Sequence, residues 1–179
     1  MALVNVFVRR YNDFQFYNPL SLNNMRLEKK TALLLLRRKK TLSIAESCTG
    51  GLMAHTLTNV AGSSAFFLLG VVAYDNAAKT KTLKIPASLL AQYGAVSLEV
   101  AGKMAQGVRR ILNTDIGMGI TGIAGPAGGN KAKPVGLVFI AVSHGATLKV
   151  FEFHFKGNRS SNKRSAVAAA LRILNAELA

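Results

Sequence analysis

Four residues, Ser143 to Ala146, separate two apolar runs, Val135 to Val142 and Thr147 to Phe155. A connection that short can only reverse the chain, because a parallel crossover needs about a dozen residues or more, so the two runs must pair antiparallel. Upstream the pattern is different. Thr41 to Ala45, Phe66 to Tyr74 and Asp115 to Ile120 read as strands, and helical periodicity fills the chain between them. The helices expected are Arg26 to Lys40, Leu52 to Val60, Ala77 to Leu83, a turn from Ala87 to Gln92, and Ser97 to Leu112. A last helix follows Ser160 or Ser161 as cap and buries Val167, Ala170, Leu171 and Leu174. Alternation early and a hairpin late predict an α/β protein: a three-layer α/β/α sandwich on a mixed, mostly parallel five-stranded sheet. Phe66 to Tyr74 is a near-continuous apolar run, as in a strand covered on both faces. Leu33 to Leu36 should be buried. Ala101, Met104, Ala105, Val108, Ile111 and Leu112 form one apolar stripe, with Glu99, Lys103, Gln106 and Arg109 opposite.

At 179 residues, half of them hydrophobic, the chain fits one domain with a sizeable core. Residues 1–24 mix five aromatics with asparagines without a period, and read as an N-terminal extension, disordered or partner-binding, ahead of a domain at 25–179. No apolar run reaches the length of a membrane span, and no signal peptide is evident, because Arg9 and Arg10 stand where a cleavage site should be. The lone Cys48 excludes an intramolecular disulfide and fits a reducing compartment. A cytoplasmic protein is expected, without a membrane partner. The net charge of +15 would draw nucleic acid, an anionic surface or a phosphorylated substrate. Only Arg37-Arg38-Lys39-Lys40 is dense, at a helix C-terminus where the dipole favours cations. No basic stripe is interleaved with aromatics, so nucleic acid is the less favoured partner. His55, His144 and His154 are scattered without ligand spacing, so no metal and no cofactor are expected.

Four stretches could carry chemistry. In Ile44-Ala45-Glu46-Ser47-Cys48-Thr49-Gly50-Gly51 a strand breaks into a tight turn before a helix, where unpaired amides favour an anion or a developing oxyanion. Ser47 is then a nucleophile candidate or, with Thr49, merely a cap. The stretch is neither G-x-S-x-G nor S-x-x-K, so a base must come from elsewhere. Cys48 could replace Ser47 or pack beneath the turn. In Tyr74-Asp75-Asn76-Ala77-Ala78-Lys79 a strand ends, with the Tyr74 ring buried and its hydroxyl at the sheet edge. Asp75 or Asn76 caps the next helix, and Lys79 lies in its first turn. That is the wrong helix end for a cation, so its proton is loosened. The bland alternative is a solvated lysine like Lys81 and Lys84. Thr121-Gly122-Ile123-Ala124-Gly125-Pro126-Ala127-Gly128-Gly129 follows a strand and lets amides approach a phosphate, or else is a flexible connection. Gly117, Gly119 and Gly122 spell G-x-G-x-x-G, but the first two lie inside a strand and no helix follows, so dinucleotide binding is rejected. Arg159, at a helix N-terminus, could hold a phosphate or stand in solvent.

In order along the chain, several motifs make one set: Ala45-Glu46-Ser47-Cys48-Thr49-Gly50-Gly51, Ala61-Gly62-Ser63-Ser64, and Tyr74 with Asn76 and Lys79. Gly94-Ala95-Val96-Ser97, Thr121-Gly122-Ile123-Ala124-Gly125-Pro126 and Lys133-Pro134-Val135-Gly136 complete it. From about Met25 onward this resembles the CinA C-terminal domain family, whose stand-alone members include nicotinamide-nucleotide amidases. The resemblance implies hydrolysis of nicotinamide mononucleotide to nicotinate mononucleotide and ammonia. It implies Ser47 as nucleophile and Lys79 as base without a metal, with Tyr74, Thr121 and Arg159 lining the site. Tyr74 would orient Lys79 or shuttle the proton. Thr49, Gly50, Gly51, Asn76, Thr121, Gly122 and Arg159 are the substrate-binding residues expected, with a pyridine nucleotide as substrate and a homo-oligomer as assembly. Asp75 replaces a usual Ser and would raise the pKa of Lys79; Asn158 replaces a usual Asp. The alternative is a non-catalytic nucleotide- or nucleic-acid-binding module, which would need neither Ser47 nor Lys79.

Overall fold

Glycines inside one strand decide how closely the layers of this protein pack. The computed structural model describes residues 5–11 and 25–179. Among the described residues six strands form one sheet: β1 (Asn5–Tyr11), β2 (Leu42–Glu46), β3 (Phe67–Val72), β4 (Ile116–Gly122), β5 (Leu137–His144) and β6 (Thr147–His154). Their spatial order is β1-β6-β5-β4-β2-β3. β3, β2 and β4 are mutually parallel, β5 is antiparallel to both neighbours, and β1 joins β6 in parallel. Only β5 therefore runs against the rest, which is the mixed, mostly parallel sheet expected. The strand count is corrected from five to six. The extra strand comes from the stretch assigned to an N-terminal extension, where seven residues, too few to show a clear period, add themselves to the β6 edge. The expectations for residues 1–4 and 12–24 lie outside the described residues.

The helices are α1 (Leu27–Arg37), α2 (Leu52–Thr58), α3 (Asn76–Leu83), α4 (Ala87–Tyr93), α5 (Leu98–Leu112) and α6 (Arg159–Glu177). α1, α2 and α6 pack together on one face of the sheet, and α3 and α4 pack against α5 on the other. Side chains alternate across β4. Ile116, Met118 and Ile120 enter the core under α6 with Val138, Ile140 and Leu174. Gly117 and Gly119 face α5, where an added Cβ would lie 2.2 Å from the Ala105 carbonyl and 2.4 Å from that of Ala101. The two glycines thus serve close helix–sheet packing, not a nucleotide. On α5, Ala101, Met104, Ala105 and Val108 are buried as expected, whereas Ile111 and Leu112 are exposed. Of Leu33 to Leu36 only Leu35 is buried. β3 proves to be an edge strand, with Leu68 and Val72 exposed, rather than a strand covered on both faces. Asn158, not Ser160 or Ser161, caps α6, its Oδ1 accepting from the Ser161 amide at 2.9 Å. Among the described residues no helix is long and apolar enough to cross a membrane.

Candidate active site

The parallel strands β2 and β4 end side by side, and the segments that leave them part to form a crevice, the usual ligand position in an open α/β sheet. Ser47 is the first residue beyond β2. Its amide donates to the Ile120 carbonyl at 2.9 Å, fixing the turn to β4. Gly50 and Gly51 follow at φ +59° and +90°, a backbone that L side chains rarely adopt, and this folds the chain back into α2.

Glu46, which sequence reasoning gave no role, holds that fold-back together. The buried carboxylate accepts from the amides of Gly51 and Met53 at 3.1 Å and of Ala54 at 2.8 Å. These are the donors that the start of α2 would otherwise leave unpaired. The Gly50 amide donates to the Ser47 carbonyl. An acid between an apolar strand and a helix start was the available signal.

Lys79 reaches the same point from the other layer. Asp75 caps α3 through the Ala77 amide at 2.7 Å, which places Lys79 in the first helical turn. Its side chain is 1% exposed, and Nζ lies 3.2 Å from Ser47 Oγ and donates to the Tyr74 carbonyl at 3.0 Å. Burial pulls its pKa below the ordinary lysine value, and the Asp75 carboxylate partly opposes that. Cys48, the rival nucleophile, is buried, and burial pushes its thiol up to about 12. A thiol so hard to ionise is a poor nucleophile.

The cleft beside this pair holds about 280 Å³ and is lined by Ser47, Cys48, Tyr74, Lys79, Thr121, Gly122 and Arg159 together with Ala95, Val96, Ile123, Ala124, Gly125, Ala127 and Gly128. Thr121 Oγ1 donates to the Ala95 carbonyl at 2.8 Å, tying that wall in place. Arg159 donates to the Gly125 carbonyl at 2.9 Å and to the Tyr74 hydroxyl at 2.8 Å. A guanidinium has five N–H donors, so it keeps others for an anion. Asn162 on α6 is buried; it donates to the Ala124 carbonyl and accepts from the Gly157 amide, clamping the loop to the helix. Asn162 also escaped sequence reasoning, being one polar residue in a helical pattern.

Tyr74 differs from expectation. Its ring is 57% exposed, because β3 is an edge strand, and its phenol engages Arg159 instead of Lys79. The backbone carbonyl, not the hydroxyl, is what orients the lysine. Thr49, Gly50, Gly51 and Asn76 do not line the cleft. Thr49 is fully buried, Gly50 and Gly51 shape the turn, and Asn76 borders a separate hollow with Thr80 and Leu90. Among the described residues no group of three His, Cys, Asp or Glu side chains is arranged to hold a metal.

The CinA C-terminal domain model matches residues 24–178. A putative competence-damage inducible protein of Moorella thermoacetica is 46% identical over 97% of this chain, an alignment that reaches into residues 1–24, and over 41% of its own length. A CinA-like protein of Syntrophus aciditrophicus is 49% identical over 86% of this chain and 37% of its own length. The chain thus spans about two fifths of these curated relatives. The structure of the competence damage-inducible protein A (ComA) of Klebsiella pneumoniae superposes with a TM-score of 0.83 at 34% identity, covering 85% of this chain and 94% of the other. The competence/damage inducible protein CihA of Agrobacterium tumefaciens superposes with a TM-score of 0.80 at 36% identity, over 84% of this chain and 94% of its own. With that model matched over residues 24–178 and relatives 46% and 49% identical, the chain belongs to the CinA C-terminal domain family.

Proposed function

We propose that the protein is a serine amidohydrolase that deamidates nicotinamide mononucleotide to nicotinate mononucleotide and ammonia. The observation that carries this reading is the buried Lys79 amine 3.2 Å from Ser47 Oγ at the inner end of a cleft. Burial favours the neutral amine, which donates an N–H to the Tyr74 carbonyl and offers its lone pair to the serine hydroxyl. Ser47 Oγ attacks the carboxamide carbon as its proton passes to Lys79. The Cys48 amide, at the cleft wall, stabilises the oxyanion, since those of Gly50 and Gly51 are already engaged and Thr49 is buried away from the cleft. Collapse of the tetrahedral adduct breaks the C–N bond, and the Lys79 ammonium returns the proton to the leaving ammonia. Water, deprotonated by the same amine, then hydrolyses the acyl-serine and restores the hydroxyl.

The walls suit the substrate. Ala95, Val96, Ile123 and Ala124 present apolar surface to a pyridine ring, and Arg159 offers a charge to the 5′-phosphate.

Ammonia release from the mononucleotide tests the reading. Ser47→Ala should lower kcat by at least about 10³-fold, and Lys79→Ala by at least about 10²-fold. Turnover that survives Ser47→Ala rejects the serine, and a wild-type chain that binds the nucleotide without releasing ammonia leaves a binding module.

A further inference from the structure

A second concave site lies at the opposite end of the sheet. Ser143 pairs with Gly117 and His144 with Ile116, so the β5–β6 turn sits where β4 begins, whereas the catalytic cleft opens where β4 ends. Seven strand residues, roughly 20 Å at the usual rise, separate the two. Between that turn and the last turns of α5 is a groove of about 500 Å³, larger than the catalytic cleft. Among the described residues its cations are Lys103, Arg109 and Arg110, and no carboxylate lines it.

The groove is built, not merely charged. Arg109 Nε donates to the Thr114 carbonyl at 3.1 Å and Nη1 to the Gly145 carbonyl at 2.8 Å. The guanidinium is thereby held in one pose with N–H donors to spare, which removes most of the ordering entropy a ligand would otherwise have to offset. Ser143, only 4% exposed, adds a hydroxyl to the wall, and Gln106, Asn113 and Thr147 add neutral polar groups. Lys103 and Arg110 are exposed at the rim.

We propose that this groove binds the di- or triphosphate moiety of a small molecule. Three cations against no acid match the charge of a pyrophosphate at neutral pH, and a planar guanidinium in fixed pose suits its paired oxygens. Among the described residues the lining carries no aromatic side chain on which a base could stack, which argues against single-stranded nucleic acid. The cations are gathered in a hollow rather than spread along a face, which argues against a duplex backbone. This site does not depend on the amidase reading.

Calorimetric titration of the full chain with inorganic pyrophosphate, at ionic strength held constant with potassium chloride, tests it. The wild type should show saturable binding, weakened at least tenfold in the Lys103→Ala/Arg110→Ala variant and unchanged in Lys29→Ala/Arg37→Ala, which removes the same charge from exposed positions on α1. Both rim residues are exposed, so the double variant keeps its fold, and Arg109 is spared because it ties the hairpin to α5. No saturable binding, equal affinity in the Lys103→Ala/Arg110→Ala variant, or the same loss in Lys29→Ala/Arg37→Ala would overturn the proposal, the last by showing that net charge alone draws the anion. Binding of a single-stranded oligonucleotide more tightly than pyrophosphate, lost in the Lys103→Ala/Arg110→Ala variant, would overturn the ligand class and assign the groove to nucleic acid.

Discussion

In the proposed reaction, proton transfer from Ser47 would require Lys79 to be neutral, so the groups that set its charge would also set the pH range of turnover. Burial favours the neutral amine, and the Asp75 carboxylate favours the ammonium. Asp75 also caps α3, so alanine would confuse charge with helix stability. Serine keeps an N-capping oxygen and removes the charge. Asp75→Ser should therefore lower the Lys79 pKa further and move the acid limb of kcat/KM for ammonia release to lower pH, with little change in Tm. An acid limb that stays in place would mean that another group titrates. At this scale the structure brings Ser47, Lys79, Thr121, Gly122 and Arg159, all singled out in the sequence, to one cleft, because each stands at or near the end of a strand or the start of a helix on that side of the sheet. The phenol of Tyr74, the carboxylate of Glu46 and the amide of Asn162 were not. Their partners, Arg159, the α2 amides and the Ala124 carbonyl, are set by how layers meet, which spacing along the chain does not encode.

Elements are registered by their ends as well as by their apolar faces. Asp115 stands just before β4 and accepts from the Thr41 amide and hydroxyl at 2.9 Å and from Lys40 Nζ at 3.0 Å, latching the starts of β2 and β4 together. Those bonds, the Thr41 amide foremost, hold its carboxyl down from 3.8 to about 2. A depressed carboxylate contributes stability that is complete above the unfolded-state pKa and lost as pH falls through the folded one. The carboxylate is 34% exposed, so the linkage value of about 2 kcal/mol shrinks to roughly 1 kcal/mol after solvent screening. Asp115→Asn should cost about that much in urea unfolding at pH 7, and the gap from wild type should close between about pH 4 and pH 2. Strand and helix order was readable from periodicity because most elements bury one face. β3 misled because its apolar residues read as covered on both sides, yet no strand follows it in the sheet and Leu68 and Val72 face outward. The cap of α6 was misplaced by two or three residues because Asn158, Ser160 and Ser161 are all competent caps, and the local sequence does not rank them.

For the molecule as a whole, the open question is how much depends on the strand that residues 5–11 add to the sheet. Among the described residues β1 pairs with β6 at the sheet edge, and β6 and β5 stand between it and β4, so it lies far from the ends of β2 and β4 where the cleft opens. The cleft's supports, Glu46, Asn162 and the Thr121–Ala95 bond, all lie within 25–179. Removing residues 1–24 should leave kcat and KM for ammonia release within about twofold of wild type, a change below roughly 0.4 kcal/mol. It should also bare the β6 edge, whose unpaired N–H and C=O groups are a template for another chain. The full chain's +15 charge is hardly reduced by the deletion, since residues 1–24 carry only Arg9, Arg10 and Asp13. Like-charge repulsion should keep the shortened protein apart in dilute salt and fail once salt screens it. Sedimentation should then show the truncated chain, and not the full one, growing in size as salt is raised. Loss of turnover on truncation, with the fold intact by circular dichroism, would instead make the N-terminal strand part of the catalytic unit and move the domain boundary to include it.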